Sequence, residues 1–503
     1  MSRRGLVLVS LLLAVVAAVA VAASIGRQRE RSVVRVRVVS APPVRESAPE
    51  VDVLVTARPW PRPIRWVGIG GGATPDSNPI SLEDDLLLAR DVLGDGGVVL
   101  FAGGPGTRAV QIDDGADEGD PLRSALAQLF APRRLPGARY APTRLEPHGP
   151  ATIDTVGSVL ERALAEQGAP LLVWIGAHGD RGEAPADSTV LLWAGGELDA
   201  TSFAELAHEA ARPLRLVVAS CFSGGLAELA FAALDPDNGP TDLEVCGLFA
   251  TSWDAEASGC DPSPDRAAQE GYAIHFFEAL RGQDREGRDA RGEIDLDGDG
   301  VITLLEAHAR VRTAALSFDR PTTMSSRLLR ALAPRAGGHA AVDLPEEEIV
   351  VRVLGERLRI EGVRDAEARL EAIARRREEL EAAIDEERTR ADDLWWAIQG
   401  EMLARWPVLD DPWHADWAPT LERERAAIVE VLDTLPELAA WRAAEDDADA
   451  MDVTLAALQI EEAPLRRWLE ARETLELASR LAAQGGPALA RWRRMRACEA
   501  SAP

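Results

Sequence analysis

The chain of 503 residues is too long for one small domain, and two or three units of ordinary size are expected. Its formal net charge of −28 leaves no basic surface to neutralise phosphates, which excludes a nucleic-acid partner. With 46% hydrophobic residues the chain has enough core-forming material to exclude disorder as its overall state. Lys is absent, which excludes Lys-dependent catalysis and matches the coding bias of a GC-rich bacterial genome. The four cysteines, Cys221, Cys246, Cys260 and Cys498, are too few for a disulfide scaffold, so each is read by itself.

Arg3 and Arg4 precede an apolar run over 5–26. At about 1.5 Å per residue this run is long enough to cross roughly 30 Å of hydrocarbon, and residues 1–26 are read as a single-pass membrane anchor. The small residues Ala18, Ala20 and Ala22 also have signal-peptidase spacing, and cleavage there would give a secreted or periplasmic protein. The side of the membrane stays open. Five Arg between 27 and 37 favour a cytoplasmic remainder, whereas the signal-like residues and a calcium loop favour an outward one. Residues 27–63 form a Pro-rich linker.

Over 64–330 short apolar runs alternate with amphipathic stretches, the pattern of an α/β domain with a mostly parallel sheet flanked by helices. Strands are expected at 64–70, 98–102, 171–177, 214–220 and 245–251, with helices from Ser81 and over 152–167, 202–211, 226–234 and 272–280. Cys246 falls inside a strand, where a buried thiol is expected. The glycines at 68 and 70–72 lack the Lys or acid of a phosphate-binding motif and are read as a turn.

His178-Gly179 follows one apolar strand and Cys221 follows another, and open parallel sheets place their functional crevice at the carboxyl ends of the strands. If those strands are neighbours, the imidazole can take the thiol proton and leave a nucleophilic thiolate, with backbone N–H groups of Gly179 and Cys221 as an oxyanion hole. Ser223-Gly224-Gly225 provides a tight turn behind the nucleophile.

Two segments, 174–180 with Trp-Ile-Gly-Ala-His-Gly-Asp and 218–225 with Val-Ala-Ser-Cys-Phe-Ser-Gly-Gly, resemble the His-Gly and Cys motifs of the caspase-like cysteine peptidases, most closely their legumain (hemoglobinase) branch. The resemblance implies a Cys–His dyad of Cys221 and His178, a peptide or protein substrate, and a substrate pocket lined near Ser252 and Ser258. The caspase Gln-Ala-Cys pentapeptide and the Arg-His segment of Asn-specific legumains are absent, so no cleavage preference is implied. The alternative is a catalytically inactive caspase-like scaffold.

The stretch 295–306, Asp-Leu-Asp-Gly-Asp-Gly-Val-Ile-Thr-Leu-Leu-Glu, matches the EF-hand formula. Its Ca²⁺ ligands would be Asp295, Asp297, Asp299, the Val301 carbonyl, Thr303 and Glu306. After a linker at 331–345, residues 346–503 lose their strands, and Leu370, Ile373, Leu380, Ile384, Ala391, Leu394 and Ile398 keep a/d spacing. This predicts a coiled coil or long helical hairpin, able to self-associate or bind a protein partner. The whole reads as a membrane-anchored cysteine endopeptidase with a calcium loop and a helical C-terminal region.

Overall fold

Near-continuous apolar runs form strands that must be covered on both faces. The computed structural model, which describes residues 60–115, 119–130, 138–267 and 269–503, shows how. Strands β1 (Trp66–Gly70), β2 (Gly97–Phe101), β3 (Leu171–Gly176), β4 (Leu214–Ala219) and β5 (Val245–Phe249) are parallel, and the short β6 (Thr322–Thr323) pairs antiparallel with β5. They make a six-stranded sheet in the order β6-β5-β4-β3-β1-β2.

Alternation along each strand divides the core into two layers. Val67, Ile69, Val173, Ile175, Leu216 and Val218 face α3 (Ile153–Ala165) and α4 (Ala200–His208). Trp66, Trp174 and Val217 face α1 (Ile80–Leu93), α5 (Tyr272–Leu280) and α6 (Leu304–Ala314). The helix expected over 226–234 is instead a 3-10 helix, Ser223–Ala230. Between β2 and α3 the chain adds α2 (Pro121–Phe130), and after β6 comes α7 (Met324–Leu332).

The helical region contains α8 (Pro345–Leu358), α9 (Val363–Arg405), α10 (Trp417–Thr434), α11 (Pro436–Gln484) and α12 (Gly486–Glu499). Pro345 and three Glu in the first turn start α8 where a helix accepts a missing N–H and favours negative charge. Arg377 pairs with Glu462 at 2.7 Å and Arg388 with Asp452 at 2.5 Å, so α9 and α11 run antiparallel as a hairpin. Its seam on α9 buries Ala366, Ile373, Ile384, Ala391, Ile398 and Met402, while Leu370, Leu380 and Leu394 are half-buried.

This hairpin rests on the α/β unit at both ends. At its tip Ile398, Met402 and Leu421 pack on Leu122, Leu126 and Leu129 of α2, and Trp395 Nε1 and Gln399 Nε2 donate to the Leu129 carbonyl at 2.9 and 2.7 Å. At its base Ala478 and Leu481 pack with Leu329 and Trp492. A disulfide joins Cys246 of β5 to Cys498 of α12. Cys246 is buried as expected, but it is not a thiol: a partner 252 residues away in sequence, brought in by the last helix, leaves no local pattern. Among the described residues no helix is long and apolar enough to cross a membrane. The apolar run at 5–26 lies outside them, as do residues 27–59 of the linker.

Candidate active site

β3 and β4 are neighbours, with Gly176 paired to Ala219, so the residues that follow them leave the sheet side by side. His178 follows β3 and Cys221 follows β4. Gly179 has a steric reason to be glycine: a Cβ there would lie 2.3 Å from the Cys221 carbonyl oxygen. The segments carrying base and nucleophile therefore touch through their backbones. Gly224 and Gly225 are similarly enclosed, by Thr251 O at 2.8 Å and Pro185 O at 2.3 Å. Phe222, between nucleophile and turn, takes a left-handed conformation with φ 58°. Such a conformation in a bulky residue is held by its surroundings; here Phe222 N–H donates to Ala255 O at 2.9 Å.

His178 Nε2 lies 2.9 Å from the Ser77 carbonyl. A carbonyl only accepts, so Nε2 carries the proton and Nδ1 is the basic nitrogen. Burial lowers the His178 pKa, while the Ser77 bond and Asp180 raise it in part. Ser77 belongs to the glycine-rich segment after β1, and a Cβ on Gly72 would stand 1.7 Å from the Ser77 oxygen. Asn78, fully buried, ties this segment down: its Oδ1 accepts from Gly72 N and its Nδ2 donates to Ala109 O, each at 3.0 Å. The glycines expected to form a turn thus also deliver the group that orients the histidine.

Cys221 Sγ accepts from the Ala257 N–H at 3.3 Å and faces the Ala257 carbonyl at 3.7 Å. Burial raises the Cys221 thiol pKa, the Ala257 N–H and its own N–H lower it, and Glu256 and Asp319 raise it. No hydrogen bond joins Cys221 to His178. The thiol within reach of the imidazole is Cys260, 3.6 Å from His178 Nδ1. Cys260 is open to solvent over much of its surface, yet its thiol pKa is pushed up, first by the protein packed round it and then by Cys221, Asp85 and Asp319. Of the two free cysteines, only Cys221 has an N–H donor on its sulfur to stabilise a thiolate. That favours Cys221 as nucleophile.

Neither serine expected in the substrate pocket presents an unoccupied hydroxyl. Ser252 Oγ donates to Asp254 at 2.7 Å and Ser258 Oγ to Asp319 at 2.8 Å. A cleft of about 380 Å³ is lined by Phe222, the residue after Cys221, by Arg181, Asp254 and Glu256, and from the hairpin by Arg377 and Glu462. Arg181 lies over the Trp253 ring at 4.9 Å.

In the acidic loop, Asp295, Asp297 and Asp299 bring one carboxylate oxygen each within 4.8 Å of one another, a spacing that suits three ligands of one cation. Gly300 stands at the sharp turn with φ 87°. A one-turn helix, Arg291–Ile294, leads into the loop and α6 follows it. Glu306 is occupied otherwise: it accepts from Leu296 N at 2.7 Å and Thr303 N at 2.8 Å and forms a capping box with Thr303 at the start of α6. Val301 is exposed. The three aspartates fit a hard cation; Thr303 and Glu306 would have to exchange helix capping for coordination.

No protein-family model matches this chain, and no curated protein matches it in sequence.

Proposed function

We propose that the chain is a cysteine endopeptidase of caspase-like type, with His178 as base and Cys221 as nucleophile. The observation that carries this reading is the delivery of both residues from the ends of neighbouring parallel strands, with His178 Nε2 held by Ser77 so that Nδ1 is the basic nitrogen. His178 Nδ1 takes the Cys221 proton, and the thiolate adds to the scissile carbonyl carbon. The C–N bond breaks as His178 returns the proton to the leaving amine. Water, deprotonated by the same nitrogen, then cleaves the thioester to a carboxylate and restores the thiol. Backbone N–H groups of Gly179 and Cys221 are the proposed donors to the oxyanion. Burial keeps both groups neutral at rest, so the proton transfer belongs to the substrate-bound state.

The acidic loop is proposed to take Ca²⁺ through Asp295, Asp297 and Asp299, with the Val301 carbonyl, Thr303 and Glu306 as further ligands. Bound there, the ion would neutralise three clustered carboxylates and brace the entry to α6. The disulfide between Cys246 and Cys498 supports a working place outside the cytoplasm, either secreted, periplasmic or on the outer side of a membrane anchored by residues 1–26.

The test is hydrolysis of a diverse peptide library by the purified chain with Ca²⁺ present. Cys221→Ala and His178→Ala should each abolish cleavage, and the double variant should be no slower than the worse single one. Cleavage that survives either substitution removes the dyad. A folded wild-type chain that cleaves nothing supports the scaffold reading instead.

A further inference from the structure

Arg467 on α11 is a charged side chain with 0% exposure, and it does not pair directly with a carboxylate. Its guanidinium donates to three backbone carbonyls of one loop: Nε to Asp319 at 2.8 Å, Nη1 to Ala315 at 2.9 Å and Nη2 to Ser317 at 2.8 Å. Without it those buried carbonyls would lose their donors, a cost the loop could escape only by moving. A planar fork with several fixed N–H groups suits three convergent carbonyls, whereas an ammonium would serve them poorly.

The loop so held reaches the nucleophile. Asp319, also 0% exposed, accepts from Ser258 N at 2.6 Å and from Ser258 Oγ at 2.8 Å. The residue before Ser258 is Ala257, whose N–H donates to Cys221 Sγ at 3.3 Å. We propose that Arg467 is a positioning residue for Cys221, acting from the helical hairpin through the 315–319 loop, Asp319, Ser258 and the Ala257 N–H. The hairpin is then part of the active site rather than an appended interaction module. The inference rests on the peptidase reading for its consequence in catalysis, but the bracket itself can be tested on the thiol alone.

The groups facing Cys221 are Ala257, Glu256, Asp319 and Cys260, so the pH profile of its alkylation reports on this wall. Purified full-length wild type, Arg467→Met, Arg467→Lys and Ser258→Ala would be treated with iodoacetamide across pH. Modification of Cys221 would be followed by mass spectrometry, alongside thermal unfolding and steady-state kinetics. Arg467→Met should displace the Cys221 profile to higher pH, because the thiolate loses its N–H donor. It should also lower kcat on the order of 10²-fold with KM little changed, as expected of a misplaced reacting group. Arg467→Lys should fall between, and Ser258→Ala should displace the profile in the same direction. A folded Arg467→Met with the wild-type profile overturns the proposal, and so does a loss of kcat with an unmoved profile, which would mark a merely structural role. Should Arg467→Met fail to fold, the Lys and Ser258→Ala profiles decide by the same criterion. Absence of peptide cleavage by wild type would count against the peptidase reading, while the alkylation profiles would still decide the bracket.

Discussion

The Ser77 carbonyl holds His178 Nε2 at 2.9 Å, and the geometry of both motifs depends on glycines that leave room for such backbone atoms. A Cβ at Gly72 would meet Ser77 O at 1.7 Å and one at Gly179 would meet Cys221 O at 2.3 Å. Neither obstacle is a flexible side chain, so Gly72→Ala and Gly179→Ala should each lower kcat/KM on the order of 10²-fold. Gly157→Ala is the contrast: nothing lies within 4 Å of its Cβ in the middle of α3, so it should raise thermal stability by about 0.5–1 kcal/mol and leave kinetics unchanged. Another single group sets a pH dependence. Glu499 is buried, and burial raises its carboxyl to about 7 even though Ser325 N–H and Oγ donate to it. The folded state therefore holds a proton that the unfolded state releases from about 4.5 upward. Its contribution is most favourable below pH 4.5 and is lost as pH rises towards 7, by roughly 3 kcal/mol at most. The lowered pKa values of His178, His275 and His308 act in the opposite sense. The informative quantity is thus the difference between wild type and Glu499→Gln in Tm from pH 5 to pH 7.5, which should shift towards the Gln variant as pH rises.

All five parallel strands were legible as apolar runs closed by turn residues, because buried parallel strands need apolar side chains on both faces. The adjacency of β3 and β4 was legible only as a condition, since sequence does not say which strands pair. The hairpin could be read from its seam, though Arg377 there interrupts the pattern for a reason that needs the partner helix: it pairs with Glu462. What sequence could not show is carried by backbone atoms or by distant partners. Ser77 acts through its carbonyl 101 residues before His178, Arg467 through carbonyls about 150 residues before it, and Cys260 through a loop packed against the imidazole. A carbonyl has no residue-type signature. Asn78, buried and flanking the glycines, was the nearest available signal. The acidic loop was legible in full as a pattern, and its use is an experiment. Millimolar Ca²⁺ should raise Tm in wild type and not in Asp297→Ala, by linkage to a site present only in the folded state. Glu306→Gln is the poorer variant, because it also breaks the cap of α6. An unchanged wild-type Tm would leave the loop a cap alone.

Across the molecule the α/β unit and the helical region are bound into one compact body by the tip on α2, by Arg467 and by the link between Cys246 and Cys498. A cross-link separated by 252 residues closes a long loop, and in the chain-entropy account such a loop stabilises by about 5 kcal/mol. Reduction, or Cys498→Ser, should therefore lower Tm clearly, whereas a Tm indifferent to reductant would remove both the cross-link and the argument for an oxidising compartment. The same architecture places Arg377 and Glu462 of the hairpin in the wall of the cleft next to Phe222, and of the two free thiols, Cys221 and Cys260, it sets Cys260 against the imidazole. Which thiol reacts is the question on which the account turns. The decisive measurement is treatment of the native chain at neutral pH with a peptide-derived electrophile, followed by mass-spectrometric location of the adduct. The account predicts modification at Cys221, abolished by His178→Ala and by denaturation; an adduct on Cys260 with Cys221 untouched, or labelling indifferent to His178, would contradict it.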